Sequence, residues 1–397
     1  MLEKTFVPYG VYWSTPFCRW QGSLAQAHAM ELAAEVAREV LAAKSIEPAK
    51  AFDAIVLGTT IPQRSCFYGA PWLAAMLGAD GLTGPTVAQA CATSARAIAT
   101  AAADVELGLR QSVLAVTCDR TSNGPHVYWP QPGAPGGTGL SVDWVPDAFD
   151  KDPWAKNKMI ETAERVAKEG GFTREQQDAV ALMRDEQYRK ALADDRAFQK
   201  RYMAPVTLRR GKKEIGKVEA DEGIHPTTKE GLAKLEPVMQ GGTVTFGAQT
   251  HPADGNAGFV VCSEGRAKEL SRDPKVTVRV LGWGEGRVEK GHMPKAVVPA
   301  AKAALARAGV AIGDCKVIKT HNPFAVNDLW FSKEMGVALE KMNDYGCPLV
   351  YGHPQGPTGM RLVIETIEEL VMRGGGYGLF SGCAAGDTAM GLVLKVG

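Results

Sequence analysis

The sequence has almost no net charge, with 45 Lys and Arg against 44 Asp and Glu and a balance of +1 over 397 residues. That balance gives no electrostatic case for binding nucleic acid or an anionic membrane surface. Long apolar runs are also missing, and none reaches the ~20 residues that a bilayer span needs. The opening MLEKTFVPYGVYW lacks the apolar run of a signal peptide, so a cytoplasmic location is expected. Cysteines are few and scattered, at Cys18, Cys66, Cys91, Cys118, Cys262, Cys315, Cys347 and Cys383. Without a C-x-x-C pair they read as reduced thiols and not as a disulfide framework or zinc ligands. No metal site is expected.

What is present is the composition of a folded chain, 45% hydrophobic and 22% charged, long enough for two core-bearing units and an insertion. Apolar spacing predicts a helix over Ala25 to Ala43 and a buried strand over Phe52 to Leu57. In VAQACATSARAI, residues 87–98, an apolar approach delivers Cys91 to an alanine-rich run. Alanine is the best helix former, so a helix is expected from Ala92 to Glu106, stopped at Gly108. Cys91 stands where a serine or aspartate cap would be usual. It is either a small buried residue, as free cysteines often are, or a thiolate held at a helix N-terminus, where N–H groups lower its pKa.

The strand SVLAVTC follows, and then residues 119–244 change character. The glycines and prolines of NGPHVYWPQPGAPGGTG predict no regular structure there. Charged amphipathic helices come next, so the region reads as an insertion. Buried-strand character returns in TVTFGAQ, GFVVCSE and KVTVRVLG, followed by a helix over Ala296 to Ala308 and the strand CKVIKT. The end of the chain repeats the earlier order of turn, helix, glycine break, apolar strand and cysteine. The turn YGHPQGPTG leads into MRLVIETIEELVMR, then GGG, then YGLFSGC. This predicts a duplicated, layered α/β chain with roughly 130 residues per half. The expected units are 1–118 with 245–270, an inserted 119–244, and 271–397. A pseudo-twofold axis would bring Cys91, His353 and Cys383 to one point.

The same segments, in order, resemble the thiolase family. STPF resembles its opening Arg-Thr-Pro-Phe motif, QACATSA its nucleophile segment, and the helices after TAERVA its loop domain. GTVTFGAQTHPADGNAG resembles its glycine-rich stretch. YGHPQGPTGMR follows its Gly-His-Pro-x-Gly-x-[Ser/Thr]-Gly-x-Arg block, and SGCAAGDTAMG its terminal cysteine motif.

The resemblance implies a five-layered α/β/α/β/α fold, a homodimer or a dimer of dimers, and coenzyme A as co-substrate with no permanently bound cofactor. It assigns Cys91 as the acyl-carrying nucleophile, His353 as its base, and Cys383 as the acid/base at the substrate α-carbon. The backbone N–H groups of Cys91 and Ala385 would form one oxyanion hole. His353, with a water held by His321, would form the other.

Several positions depart from the family pattern. His321-Asn322-Pro323-Phe324 stands for Asn-Glu-Ala-Phe, and Ala384 and Ala385 stand for terminal glycines. VTCDRTS replaces Gly-Gly-Met-Glu-x-Met-Ser, and Thr250 replaces a serine that contacts pantetheine. His251 reads as a loop histidine, with pantetheine contact as the alternative. RRGKKEIGK, residues 209–217, reads as a solvated basic turn or a site for adenosine phosphates.

Arg120, His126, Tyr128 and Trp129 are expected to wall the acyl pocket. Their segment resembles that of thiolases in anaerobic aromatic degradation, which implies a bulky aromatic substrate such as benzoylsuccinyl-CoA and a small zinc-containing OB-fold accessory subunit. The alternatives are an acetoacetyl-CoA or straight-chain 3-ketoacyl-CoA thiolase, a decarboxylating ketoacyl synthase, and a non-catalytic acyl-CoA-binding subunit.

Overall fold

A computed structural model describes residues 1–397 except Asn123 and Lys212. Its architecture follows from strands that are apolar on both faces. In the strand Ala54–Gly58, Ala54 and Val56 face one core while Ile55 and Leu57 face another. In the strand Ser112–Arg120, Val113 and Ala115 oppose Leu114 and Val116 in the same way. Side chains alternate with a period of two, so a strand without polar positions must be covered on both sides.

Three cores satisfy that demand. The first lies under the helices Ala29–Ala43 and Gly69–Met76. The second holds two central helices, Thr93–Glu106 and Thr358–Met372, which pack on each other between the half-sheets. The third lies under the helices Val297–Ala308 and Ala325–Met335. Helix, half-sheet, central helices, half-sheet and helix make five layers, as expected. The two half-sheets form one mixed sheet of 11 strands. The short strand Phe6–Val7 joins them, pairing with Cys262 on one side and with Val278 and Arg279 on the other.

The second central helix is buried over nearly its whole length, including Arg361, Glu365 and Glu368. Buried charges need partners. Arg361 binds Asp221 with two hydrogen bonds, at 2.7 and 2.9 Å, and Glu365 at 3.0 Å. Asp221 belongs to the 119–244 region, so this ion pair ties that region to the centre of the molecule.

Three expectations are corrected. TVTFGAQ is not a strand, because Thr245 caps a short 3-10 turn at Phe246–Ala248 and the Thr250 N–H bonds Pro323. The glycine- and proline-rich run is not without structure, since His126–Trp129 and Leu140–Asp143 pair as an antiparallel ribbon. Pro125 and Pro130 flank the first of these strands without entering it, so no ladder donor is lost. The helix expected from Ala25 begins at Ala29, capped by His28. Among the described residues no helix is long and apolar enough to cross a membrane.

Candidate active site

Cys91 sits at the tip of a turn that its neighbours close from both sides. Thr93 Oγ1 donates to the Ala90 carbonyl at 2.7 Å and accepts from the Gln89 N–H at 2.8 Å. Ala90 takes φ +44°, a left-handed conformation that alanine adopts only when its surroundings impose it. The turn thereby presents the Cys91 thiol to a cavity immediately before the first central helix.

The turn carrying His353 is pinned at equal strength. The Gly356 N–H donates to Asp119 at 2.6 Å, and its carbonyl accepts from the Ser94 hydroxyl on the first central helix. Asp119 also receives the N–H groups of Thr60 and Ile61 at 2.8 and 3.1 Å. Burial raises the pKa of its carboxyl, and these donors oppose the rise. Gly352 is required beside His353. Its φ is +87°, and a Cβ there would meet His251 Cε1 at 2.5 Å.

The hydrogen bonds of His353 fix its tautomer. Thr358 Oγ1 donates its single hydrogen to the Pro354 carbonyl at 2.6 Å, so it can only accept from His353 Nδ1–H, also at 2.6 Å. The proton is therefore on Nδ1, and Nε2, which has no partner among the described residues, is a bare base. The nearest ligand atoms of Cys91, His321 and His353 all lie within 4.8 Å of one another.

His321 packs ring against ring on His353, and neither of its nitrogens has a partner among the described residues. Burial pushes its pKa down to about 3. Burial and the neighbouring His321 hold His353 well below the usual histidine range. Both rings are neutral at pH 7.

Cys383 closes the far side. Asn327 donates an amide N–H to its sulfur at 3.2 Å. The Asn327 oxygen accepts the Phe324 N–H at 3.2 Å, so the side-chain orientation is set by the helix start. The alanines that stand for glycines carry no strain. Gly386 and Asp387 take the positive φ of that turn, while Ala384 and Ala385 do not.

Cys91, His353, Cys383, Ala385 and Thr250 line one cavity of about 440 Å³, whose remaining wall is mostly apolar. The Thr250 hydroxyl donates to Pro348 at 2.5 Å and keeps lone pairs for a ligand donor. His251 lines the same cavity and accepts the His353 N–H on its carbonyl.

Four expected pocket residues are not there. The Arg120 guanidinium donates to the Ala25 carbonyl. His126, Tyr128 and Trp129 stand on the exposed ribbon, with His126 beside Asp143. The inner wall comes instead from Phe149, Met159, Phe246, Met293 and Phe324. A resting thiolate at Cys91 is also corrected. Burial pushes its thiol up to about 12, and the N–H groups of Ala385 and of Cys91 itself offset this only in part.

Across residues 209–217 the strands Val206–Arg210 and Lys213–Val218 pair as an antiparallel ribbon, in which Arg209 bonds Glu35. No described residue of that ribbon lines the cavity, and Lys212 lies outside the described residues.

Two family models cover this chain, "Thiolase, N-terminal domain" over residues 13–265 and "Thiolase, C-terminal domain" over 274–396. The chain belongs to the thiolase family. It is an acyltransferase of that type. It is 31% identical over 407 residues to the "Beta-ketothiolase BktB" of Cupriavidus necator, covering 100% of both chains. It is 30% identical to the "Acetyl-CoA acetyltransferase IA" of Candida tropicalis, over 96% of this chain and 95% of that one. The Bacillus anthracis acetyl-CoA acetyltransferase structure superposes with a TM-score of 0.91 at 27% identity, covering 100% of this chain and 99% of the other.

Asn327, Thr358, Asp119 and Ser94 were not legible as site residues. The signals were weak but present. Asn327 stands three residues after the capping Phe324, and Thr358 five residues after His353.

Proposed function

We propose that this thiolase cleaves, or in reverse condenses, a 3-oxoacyl-CoA through an acyl-enzyme on Cys91. The observation that carries this reading is the bare Nε2 of His353 beside the Cys91 thiol, with Cys383 on the same cavity wall. In the condensing direction the thiol, protonated at rest, passes its proton to His353 Nε2 as the sulfur attacks the thioester carbon of a first acyl-CoA. The carbonyl oxygen becomes an anion within reach of the Cys91 and Ala385 N–H groups, which already face the sulfur. The departing CoA sulfur takes the proton from His353. In the second half-reaction Cys383 takes the α-proton of a second acyl-CoA and passes its own thiol proton to the Cys91 sulfur, which departs as the α-carbon bonds the acyl carbon. The Asn327 N–H favours the thiolate that Cys383 passes through. His321 serves the second thioester oxygen through a water, since both its nitrogens are free to bond one.

The wall of Phe149, Met159, Phe246 and Met293 favours an apolar acyl chain or the pantetheine arm over a free carboxylate. Lys158, at the cavity wall, is already paired with Asp150 at 2.5 Å. With Arg120 and the aromatic ribbon outside the cavity, straight-chain 3-ketoacyl-CoA is the favoured substrate. Coenzyme A enters as co-substrate, residues 119–244 supply part of the wall that holds it, and the working unit is a homodimer.

Intact-protein mass spectrometry after incubation with acetyl-CoA and with longer 3-oxoacyl-CoA thioesters tests the reading. Acyl mass on wild type and none on Cys91→Ser is the expected result. Acyl mass on neither protein would make this a binding subunit.

A further inference from the structure

We infer that Cys91, His321 and His353 form a three-ligand site for a thiophilic divalent cation, Zn²⁺ above all, whose occupation switches the enzyme off. The spacing of the cysteines in the sequence excludes a local zinc motif, but the three ligands come together from positions 91, 321 and 353. Their ligand atoms lie within 4.8 Å of one another. Three of the four imidazole nitrogens have no protein partner, although His321 is 1% exposed and His353 5%. A buried unpartnered nitrogen is costly unless something occupies the space in front of it. Two neutral imidazoles and a thiol are the donors that zinc prefers, whereas magnesium and calcium need oxygen.

The supporting bonds also fit. A metal-binding histidine usually donates its second N–H to an acceptor, and His353 Nδ1–H does so to Thr358. Zinc holds nitrogen at about 2.0–2.1 Å and sulfur at about 2.3 Å, so tetrahedral ligand atoms stand roughly 3.3–3.6 Å apart. The cluster must therefore tighten by about 1 Å at its widest. Neither nitrogen of His321 is bonded to a described residue, so turning that ring breaks no hydrogen bond. Cys383 is outside this triad and its sulfur is held by Asn327, so the fourth position stays open to water. On binding, the Cys91 S–H proton leaves to solvent and the sulfur lone pair binds the metal, with no change of oxidation state. The exposed Glu169, Glu289 and His292 cluster is different, because the Lys295 ammonium already bridges its two carboxylates.

Metal binding is independent of the proposed activity, and only the inhibition rests on it. The experiment is titration of metal-free full-length protein with Co²⁺. The near-ultraviolet sulfur-to-cobalt charge-transfer band and the visible bands of tetrahedral cobalt are read, and Zn²⁺ is then added as competitor. One equivalent is expected, displaced by Zn²⁺. The charge-transfer band should be lost in Cys91→Ser and in wild type blocked with iodoacetamide, and the affinity should fall at least tenfold in His321→Asn. Zn²⁺ should prevent acyl-enzyme formation, and a chelator should restore it. No charge-transfer band at millimolar Co²⁺, or a band that survives alkylation of Cys91, overturns the inference. Acylation that fails without metal, beside an intact cobalt spectrum, counts against the catalytic reading alone.

Discussion

His321 and His353 stand ring to ring with centroids 4.1 Å apart and planes tilted by 36°. A cation on one opposes a cation on the other, and neither has a carboxylate hydrogen-bonded to it. The pair can therefore accept one proton during catalysis but not two at rest.

Acid should inactivate the enzyme late. His353 is held below the usual 6.5, so it remains a base as the pH falls through that value. The rate of Cys91 acylation should stay flat from pH 8 to about pH 6. A stopped-flow profile with a midpoint near 6.5 would contradict a buried neutral base.

The same histidines make stability depend on pH. Their folded-state pKa values lie below the unfolded value, so the unfolded chain binds more protons and stability falls as pH drops below 6.5. Each contributes a slope of up to about 1.4 kcal/mol per pH unit, with the window for His321 running from 6.5 down to about 3. His321→Asn should flatten the dependence of the urea midpoint on pH by about one proton. An unchanged slope would place His321 in water.

The two cysteines should separate the half-reactions. Cys91→Ser should lower turnover on the order of 10⁴-fold or more, as loss of a nucleophile does. Cys383→Ala should still be acylated by a simple acyl-CoA but should not exchange the α-proton of a second thioester. Deuterium exchange at that carbon, followed by mass spectrometry, distinguishes the steps. Equal loss in both would mean collapse of the site.

Thr358 should matter chiefly through His353. Thr358→Val leaves Nδ1–H without its acceptor in a buried site, a cost of about 1–3 kcal/mol. The acylation rate should fall by roughly 5- to 150-fold, and Thr358→Ser should restore it. A normal rate in the valine variant would show that the tautomer is held by something else.

His321→Ala should raise the barrier by roughly 2.7–4 kcal/mol if its water supports an oxyanion. The loss should fall on the condensation or thiolysis step, with Cys91 acylation less affected. Single-turnover kinetics of both steps on one preparation provide the measurement.

The elements and the nucleophile turn were legible because glycine, proline and histidine punctuate them. Cys91, His353 and Cys383 follow from matching segments of two halves. Other parts depended on contacts that no local pattern reports. Asn327 matters because the strand Gly376–Ala384 carries Cys383 beside it. Tyr128 and Trp129 face outward because the ribbon pairs with Leu140–Asp143, a partner hidden in a run of prolines and glycines. The helix position of Cys91 left its protonation open between thiol and thiolate, and burial outweighs the nearby N–H groups.

The strand Phe6–Val7, hydrogen-bonded to both halves of the sheet, has a consequence for synthesis on the ribosome. Phe6 is translated some 256 residues before Cys262, the first of its partners. At about 5–20 residues per second that is a wait of roughly 13–50 s. For that time the segment is an unpaired strand in a growing chain, exposed to whatever edge it meets first. It is made before both of its partners, and it can lock the two halves together only after both have emerged.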